Sequence, residues 1–309
     1  MKTILKSVSK FYNNLSTFGK ILIFLAVLLS LVVFFKSIMP VKEGMISTDN
    51  FLIKSGDAIY DDFYATLYDY LVFNQAKNDY EVGVLLNSSN PTETSVIADI
   101  GCGTGHHVKE LSNKGLNVIG IDKSPSMIQK AKSEYPLGNF RVGDALDNGI
   151  FKMESLTHII CMYFSIYYMK DKQRFFENAI YWLKPGGYLI VHLVDRDTFD
   201  PILPPGNPLY IVSPQKYAKE RITDTKVTFE DFVYTSKFNL EKDKDIATFD
   251  EKFKFNDGKV RKQQQVLYME DTSIIVDMAQ NAGFILQAKV DMVKCGYESQ
   301  YLYVFVKPA

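Results

Sequence analysis

An α/β fold, built on a doubly wound and mostly parallel sheet, follows from three features of the sequence. First, Val96-Ile97-Ala98-Asp99-Ile100-Gly101-Cys102-Gly103-Thr104-Gly105-His106-His107-Val108 reads as a short buried strand that runs directly into a glycine loop and then a helix. Second, strand-like runs at 116–122 and 139–145 follow at the spacing of strand–helix alternation, and an acid stands at the end of each. Third, apolar runs at 157–164 and after Lys184-Pro185-Gly186-Gly187, separated by a helical pattern at 171–182, continue the alternation.

Taken in order, the chain begins with a basic segment, 1–20, that carries Lys2, Lys6, Lys10 and Lys20 and no acid. Residues 21–39 are apolar apart from Ser30, Lys36 and Ser37, and Pro40 stops the run. As a helix this stretch extends roughly 28 Å, close to the hydrocarbon thickness of a bilayer, so it is expected to be a single-pass anchor with Lys20 and Lys36 at the two interfaces. No small-x-small cleavage site follows it. A polar linker is expected over 40–56. Next, 57–71 places Tyr60, Tyr64, Leu67, Tyr68 and Leu71 on one helical face.

Beyond the glycine loop, 108–115 is a short amphipathic helix. Ser124-Pro125 opens the next helix with a cap and a first-turn proline. After the fifth strand, 200–271 leaves the alternation. A proline-rich loop gives way to strands at 226–240, 246–255 and 259–269, with Asn256-Asp257-Gly258 as a hairpin turn. A helix at 272–283, capped by Asp271, and antiparallel strands at 284–290 and 301–306 close the domain, which spans 57–309.

The chemistry concentrates at the strand ends. Glycine at 101, 103 and 105 lets bare backbone approach a ligand. Asp99, Asp122 and Asp144 then put three carboxylates along one rim, which suits ammonium, ribose and amino-purine groups and opposes a phosphate. With 47% hydrophobic residues, a formal net charge of −1 and no basic block in the folded region, the chain is globular and has no nucleic-acid partner in prospect. Cys102, Cys161 and Cys295 form neither a disulfide framework nor a zinc pattern, and no metal site is expected.

These motifs resemble the class I S-adenosylmethionine-dependent methyltransferases. Asp99-Ile100-Gly101-Cys102-Gly103-Thr104-Gly105 is similar to their first motif and Gly120-Ile121-Asp122-Lys123-Ser124-Pro125-Ser126-Met127 to their second. Gly143-Asp144-Ala145 is similar to their adenine-contacting turn, and Leu183-Lys184-Pro185-Gly186-Gly187 to the turn before their fifth strand. The resemblance covers about 57–200 and returns at 272–308. It implies a seven-stranded Rossmann-like methyltransferase fold carrying an inserted antiparallel β segment after the fifth strand. It also implies S-adenosyl-L-methionine as cofactor. Asp99, Gly101, Gly103 and Gly105 would hold the methionine end, Asp122 the ribose, and Asp144 with Ala145 the adenine, with Cys102, Lys123 and Met127 also among the cofactor-binding residues. Tyr60 and Tyr64 would lie near the sulfonium.

The sequence departs from the family at the start of the fourth strand, where Thr157-His158 replaces the usual acid, and no general base is evident after that strand. His192, Asp195, Asp197 and Tyr163 are the candidates for proton removal, with His192 read first as a buried core residue and His106 and His107 as packing or capping residues. The expected acceptor is a small or lipid-like molecule, roofed by the inserted sheet; the other use of that sheet is a homodimer contact. A protein methyltransferase and a non-catalytic membrane-attached scaffold are the other classes. The lysine excess before 21–39 opposes a cytosolic catalytic domain, whereas the cofactor and the unpaired cysteines favour one facing the cytosol or interior side.

Overall fold

The computed structural model describes residues 16, 18–20, 26, 30, 51–206 and 213–309. Two compact units divide the chain, Met1–Ser47 and Thr48–Ala309. The expected anchor at 21–39 lies outside the described residues except for Ala26 and Ser30, which are helical, the Ser30 hydroxyl donating to the Ala26 carbonyl over 2.9 Å. Among the described residues no helix is long and apolar enough to cross a membrane.

The second unit runs β1 (Phe51–Ser55), α1 (Asp62–Val72), α2 (Gln75–Ser89), β2 (Val96–Ile100), α3 (His106–Asn113), β3 (Asn117–Asp122), α4 (Pro125–Glu134), β4 (Asn139–Val142), β5 (Leu156–Cys161), α5 (Lys172–Trp182) and β6 (Leu183–Val194). It continues with β7 (Asp224–Thr228), β8 (Phe232–Glu241), β9 (Ile246–Phe255), β10 (Val260–Tyr268), α6 (Thr272–Asn281), β11 (Ile285–Met292) and β12 (Tyr297–Val306). Short polar side chains start the helices. Asp61, Asn74, Ser124 and Asp171 each accept a backbone N–H from the first turn of α1, α2, α4 and α5.

Seven strands form one sheet in the order β11-β12-β6-β5-β2-β3-β4. The five from β6 to β4 are parallel, and β12 runs antiparallel to both β6 and β11. Ile97, Ala98, Ile159, Leu189 and Val191 are fully buried, as a parallel sheet covered on both faces requires. From β2 the chain winds outward through β3 and β4, then returns to β5 on the other side. The crevice between β2 and β5 is therefore the topological switch point, where such sheets bind ligands.

The inserted segment forms a second sheet, β1-β10-β9-β8-β7. Its β9–β10 hairpin turns at Asn256-Asp257-Gly258, with Gly258 at φ +91°. Several expectations change here. Residues 51–55, at the end of the expected linker, form β1, which pairs in parallel with β10. The expected strand at 226–240 is two strands, because the chain reverses at 229–231. The last strand begins at Tyr297 rather than 301. No apolar stripe announces α2, whose buried face includes Lys77, Asn78 and Glu81. Asp271 does not cap α6 with its side chain; its carboxylate pairs with Arg196 at 3.1 Å.

Candidate cofactor and acceptor site

A cavity of about 530 Å³ opens at the carboxyl ends of β2, β3 and β4 and is bordered on its far side by β10. The three motif glycines all adopt positive φ, yet each meets a different neighbour. A Cβ on Gly101, itself in the cavity lining, would stand 2.4 Å from Ser165 Oγ, and one on Gly105, outside the lining, would stand 2.7 Å from Phe140 Cζ. Gly103 has only Tyr68 Cε1 near, at 3.8 Å, and faces the cavity. It provides the exposed backbone that a ligand can approach.

Asp122 ends β3 with each carboxylate oxygen holding one backbone N–H, Gly103 at 2.9 Å and Ser124 at 2.8 Å. Burial pushes its pKa up while these two donors draw it down. Each oxygen keeps a further lone pair for a ligand hydroxyl. Lys123 bridges Asp57 at 2.8 Å and Asp144 at 3.4 Å, which spends its charge on carboxylates. Met127 and Ala145 are buried in the lining. Three carboxylates, one paired lysine and an open glycine backbone fit the ribose, adenine and amino-acid groups of S-adenosylmethionine and do not fit a phosphate.

The other wall is aromatic and polar. The Tyr60 carbonyl accepts the Ser124 hydroxyl at 2.7 Å, which fixes Tyr60 beside the start of α4. Tyr60 and Tyr168 meet edge to face with centroids 5.9 Å apart, and Tyr68 extends the lining from α1. Burial pushes the Tyr60 and Tyr68 hydroxyls well above the usual phenol range. Gln265, Val266 and Tyr268 of β10 complete the wall.

Several expected site residues lie elsewhere. Tyr64 is 2% exposed, does not line the cavity, and donates to Glu251 at 3.1 Å; Tyr68, one turn further along α1, lines the cavity instead. Asp99 is buried beneath the glycine loop, where burial raises it to about 6, and neither it, Cys102 nor Gly105 lines the cavity. His192 is enclosed on β6, its Nδ1 held by the Tyr163 carbonyl and its Nε2 3.0 Å from the Gln300 side-chain amide. Burial and the Lys77 charge lower it to about 3, so it is a neutral core residue and not a base. Tyr163 faces inward, its ring under the Lys77 ammonium at 3.6 Å. Asp195 and Asp197 are exposed beyond β6, Asp195 Oδ1 accepting the Asp197 N–H, and neither borders the cavity. His107 joins Glu81 at 2.9 Å, and His106 stacks on Phe73 at 3.7 Å.

Thr157, where the family acid is missing, sits at the amino end of β5 and ties it to β2 through the Val96 N–H and carbonyl, at 2.9 and 3.1 Å. That end of the strand is opposite the cavity, so the departure leaves the site untouched. Ser165 and Tyr168 line the cavity from the segment 163–168 expected on the substrate side, and Asp57, Tyr68 and Gln265 line it without having been singled out as site residues. For Tyr68 and Tyr168 the tyrosine stripe of α1 and the aromatic run after β5 were the available signals. Gln265 had none. Among the described residues no group of three or more His, Cys, Asp or Glu side chains could hold a metal ion.

Switch-point cavity, glycine loop and strand-end carboxylates are arranged as in class I S-adenosylmethionine-dependent methyltransferase domains. More particularly, residues 98–191 match the family model described as a methyltransferase domain. The chain is similar to dTDP-3-amino-3,4,6-trideoxy-alpha-D-glucopyranose N,N-dimethyltransferase of Streptomyces venezuelae, with 25% identity over 142 residues, 43% of this chain and 58% of that protein. It is also similar to trans-aconitate 2-methyltransferase of Escherichia coli O1:K1, with 31% identity over 102 residues, 32% of this chain and 39% of that protein. The chain thus spans between 39% and 58% of the length of these two curated relatives. The solved structure of the CcbJ methyltransferase from Streptomyces caelestis shares the fold, with a TM-score of 0.62 at 14% identity, covering 82% of this chain and 100% of that one.

Proposed function

We propose that this chain transfers a methyl group from S-adenosylmethionine to a small or lipid-like acceptor, and that residues 21–39 tether it to a membrane with the catalytic domain on the cytosolic or interior side. The observation that carries the reading is the cavity itself, in which the Gly103 backbone and Asp122 face Tyr60, Tyr68 and Tyr168 across one space. The bound cofactor supplies an activated methyl on a sulfonium. The protein's share is orientation and exclusion of water. Gly103 and Asp122 position the donor, and the tyrosine wall narrows the approach to a line. The second sheet supports a small acceptor, because β10 walls one side of the cavity.

The tether rests on the apolar character of 21–35, broken only by Ser30, and the length of the whole run. Incubating the 309-residue chain in detergent with radiolabelled S-adenosylmethionine and fractionated lipid and small-molecule extracts tests the activity. Label transfer that Asp122→Ala lowers about tenfold or more at subsaturating cofactor is the expected result; cofactor binding without transfer to any fraction returns the scaffold reading. Flotation with vesicles, compared between the chain and a version lacking 21–39, tests the tether, and equal flotation of both overturns it.

A further inference from the structure

The inserted sheet provides the cavity with a wall whose hydrogen bonds run in one direction. Glu251, on β9 and 2% exposed, receives the Tyr234 and Tyr64 hydroxyls on Oε1 at 2.7 and 3.1 Å. Its Oε2 receives the side-chain amides of Gln263 and Gln265 at 2.7 and 2.6 Å. The second Gln263 atom is also committed, because Arg261 Nε donates to its Oε1 at 2.8 Å, and a guanidinium can only donate. Arg261 is in turn held by Asp61 at 2.8 and 2.9 Å.

With its NH2 group turned to Glu251, Gln265 presents its carbonyl oxygen towards the cavity. There it accepts the Tyr60 hydroxyl at 3.2 Å and the Tyr168 hydroxyl. Both phenol protons are thereby spent, and what these two residues offer a ligand is oxygen lone pairs and ring faces. At this pair of tyrosines the wall accepts hydrogen bonds and has none to give.

We infer that the acceptor is a primary or secondary amine whose N–H groups dock on the Tyr60 and Tyr168 oxygens, with Gln265 and Glu251 as the positioning residues that set this preference. The inference rests on the methyl-transfer reading above and names its substrate class. Nitrogen is favoured over oxygen by the proton count. A hydroxyl acceptor has to surrender its proton to a base, and neutral phenols already donating to Gln265 do not take one. A neutral amine attacks with its own lone pair: the N–CH3 bond forms, the S–CH3 bond breaks with its electron pair going to sulfur, and the extra proton leaves the nitrogen for water afterwards. Positive charge then develops on nitrogen against phenol lone pairs and aromatic faces, with the Glu251 carboxylate behind them.

The test uses the 309-residue chain in nonionic detergent, loaded with S-adenosylhomocysteine and titrated at pH 9, where a substantial fraction of each amine is neutral, with matched amine–alcohol pairs (benzyl, 4-chlorobenzyl and 4-nitrobenzyl). At least one amine should bind about tenfold or more tighter than its alcohol, the scale of one good hydrogen bond that the alcohol does not match. Gln265→Leu and Glu251→Gln should bring that ratio to near unity, with a larger loss on the amine than on S-adenosylhomocysteine. Tyr168→Phe, which leaves the Glu251 network in place, should lower amine affinity severalfold and carries the test if Glu251→Gln does not fold. Equal or tighter alcohol binding, no amine binding by the loaded chain, or a ratio unchanged in both Tyr168→Phe and Gln265→Leu overturns the inference alone. Failure of S-adenosylhomocysteine to bind a folded chain overturns the methyltransferase reading and the inference with it.

Discussion

Gly105 and Gly103 stand two residues apart, share positive φ, and differ in what they touch. Because a Cβ at 105 would overlap Phe140 in a backbone conformation that already disfavours side chains, Gly105→Ala should destabilise the domain by about 1–3 kcal/mol, visible as a lower urea midpoint. Asp122 carries the opposite expectation. Its two backbone donors keep it in place whether or not a ligand is bound, so its removal acts mainly on binding. Asp122→Ala should weaken S-adenosylmethionine binding by about 1.5–3 kcal/mol in a calorimetric titration, the scale of a lost charge-assisted contact. No binding by a folded wild-type chain would remove the basis of the proposed function.

At the scale of elements, α2 is the costly one. It buries Lys77 and Glu81 one turn apart as an ion pair, with His107 on the second Glu81 oxygen. Burial alone would raise Glu81, but Lys77 and His107 bring it to about 2. Removing one partner strands a charge in the interior, so Lys77→Met should cost about 3–5 kcal/mol, and Lys77→Met with Glu81→Leu should recover most of that loss, both read from denaturant unfolding. An equal loss in the single and double variants would mean that the cost lies in packing and not in the stranded carboxylate. The inserted sheet shows the same logic with a different outcome. On β10, Arg261, Gln263 and Gln265 point inward and Lys262 and Gln264 outward, so both faces are polar and the alternation that marks a half-buried strand is hidden.

For the whole molecule, buried titratable groups set how stability varies with pH, and they do not all push the same way. His192 has a folded pKa of about 3 against an ordinary 6.5, so the unfolded chain takes its proton first. Its contribution is complete above about pH 6.5 and is lost as pH falls towards 3. Asp99, raised to about 6 from 3.8, has the reverse sign: burial of its charge costs stability above pH 6, and that cost is relieved as pH falls towards 3.8. His192→Gln should therefore flatten the decline of the urea midpoint between pH 6.5 and 4, and Asp99→Asn should steepen it. Unchanged slopes in both variants would show that neither group is buried in the charge state described.

What the sequence by itself determined is the part of this protein that rests on neighbours along the chain. Strand, glycine loop and helix at 96–108 are legible because apolar runs, positive-φ positions and caps act within a few residues of each other. For the same reason the strand-end position of Asp122 and Asp144, the helix start at Ser124-Pro125 and the hairpin at Asn256-Asp257-Gly258 could be read directly. Tertiary structure alone decided which of Tyr60, Tyr64 and Tyr68 face the cavity, why His192 is a core residue, and that Gln265 is a wall of the site. Those outcomes depend on partners far along the chain, Gln300 for His192 and, about two hundred residues away, Gln265 for Tyr60 and Asp61 for Arg261. A buried glutamine and an exposed one have the same local pattern. Only the arrival of Glu251 from the neighbouring strand makes one orientation of the Gln265 amide, and with it the chemistry of the wall, lower in energy than the other.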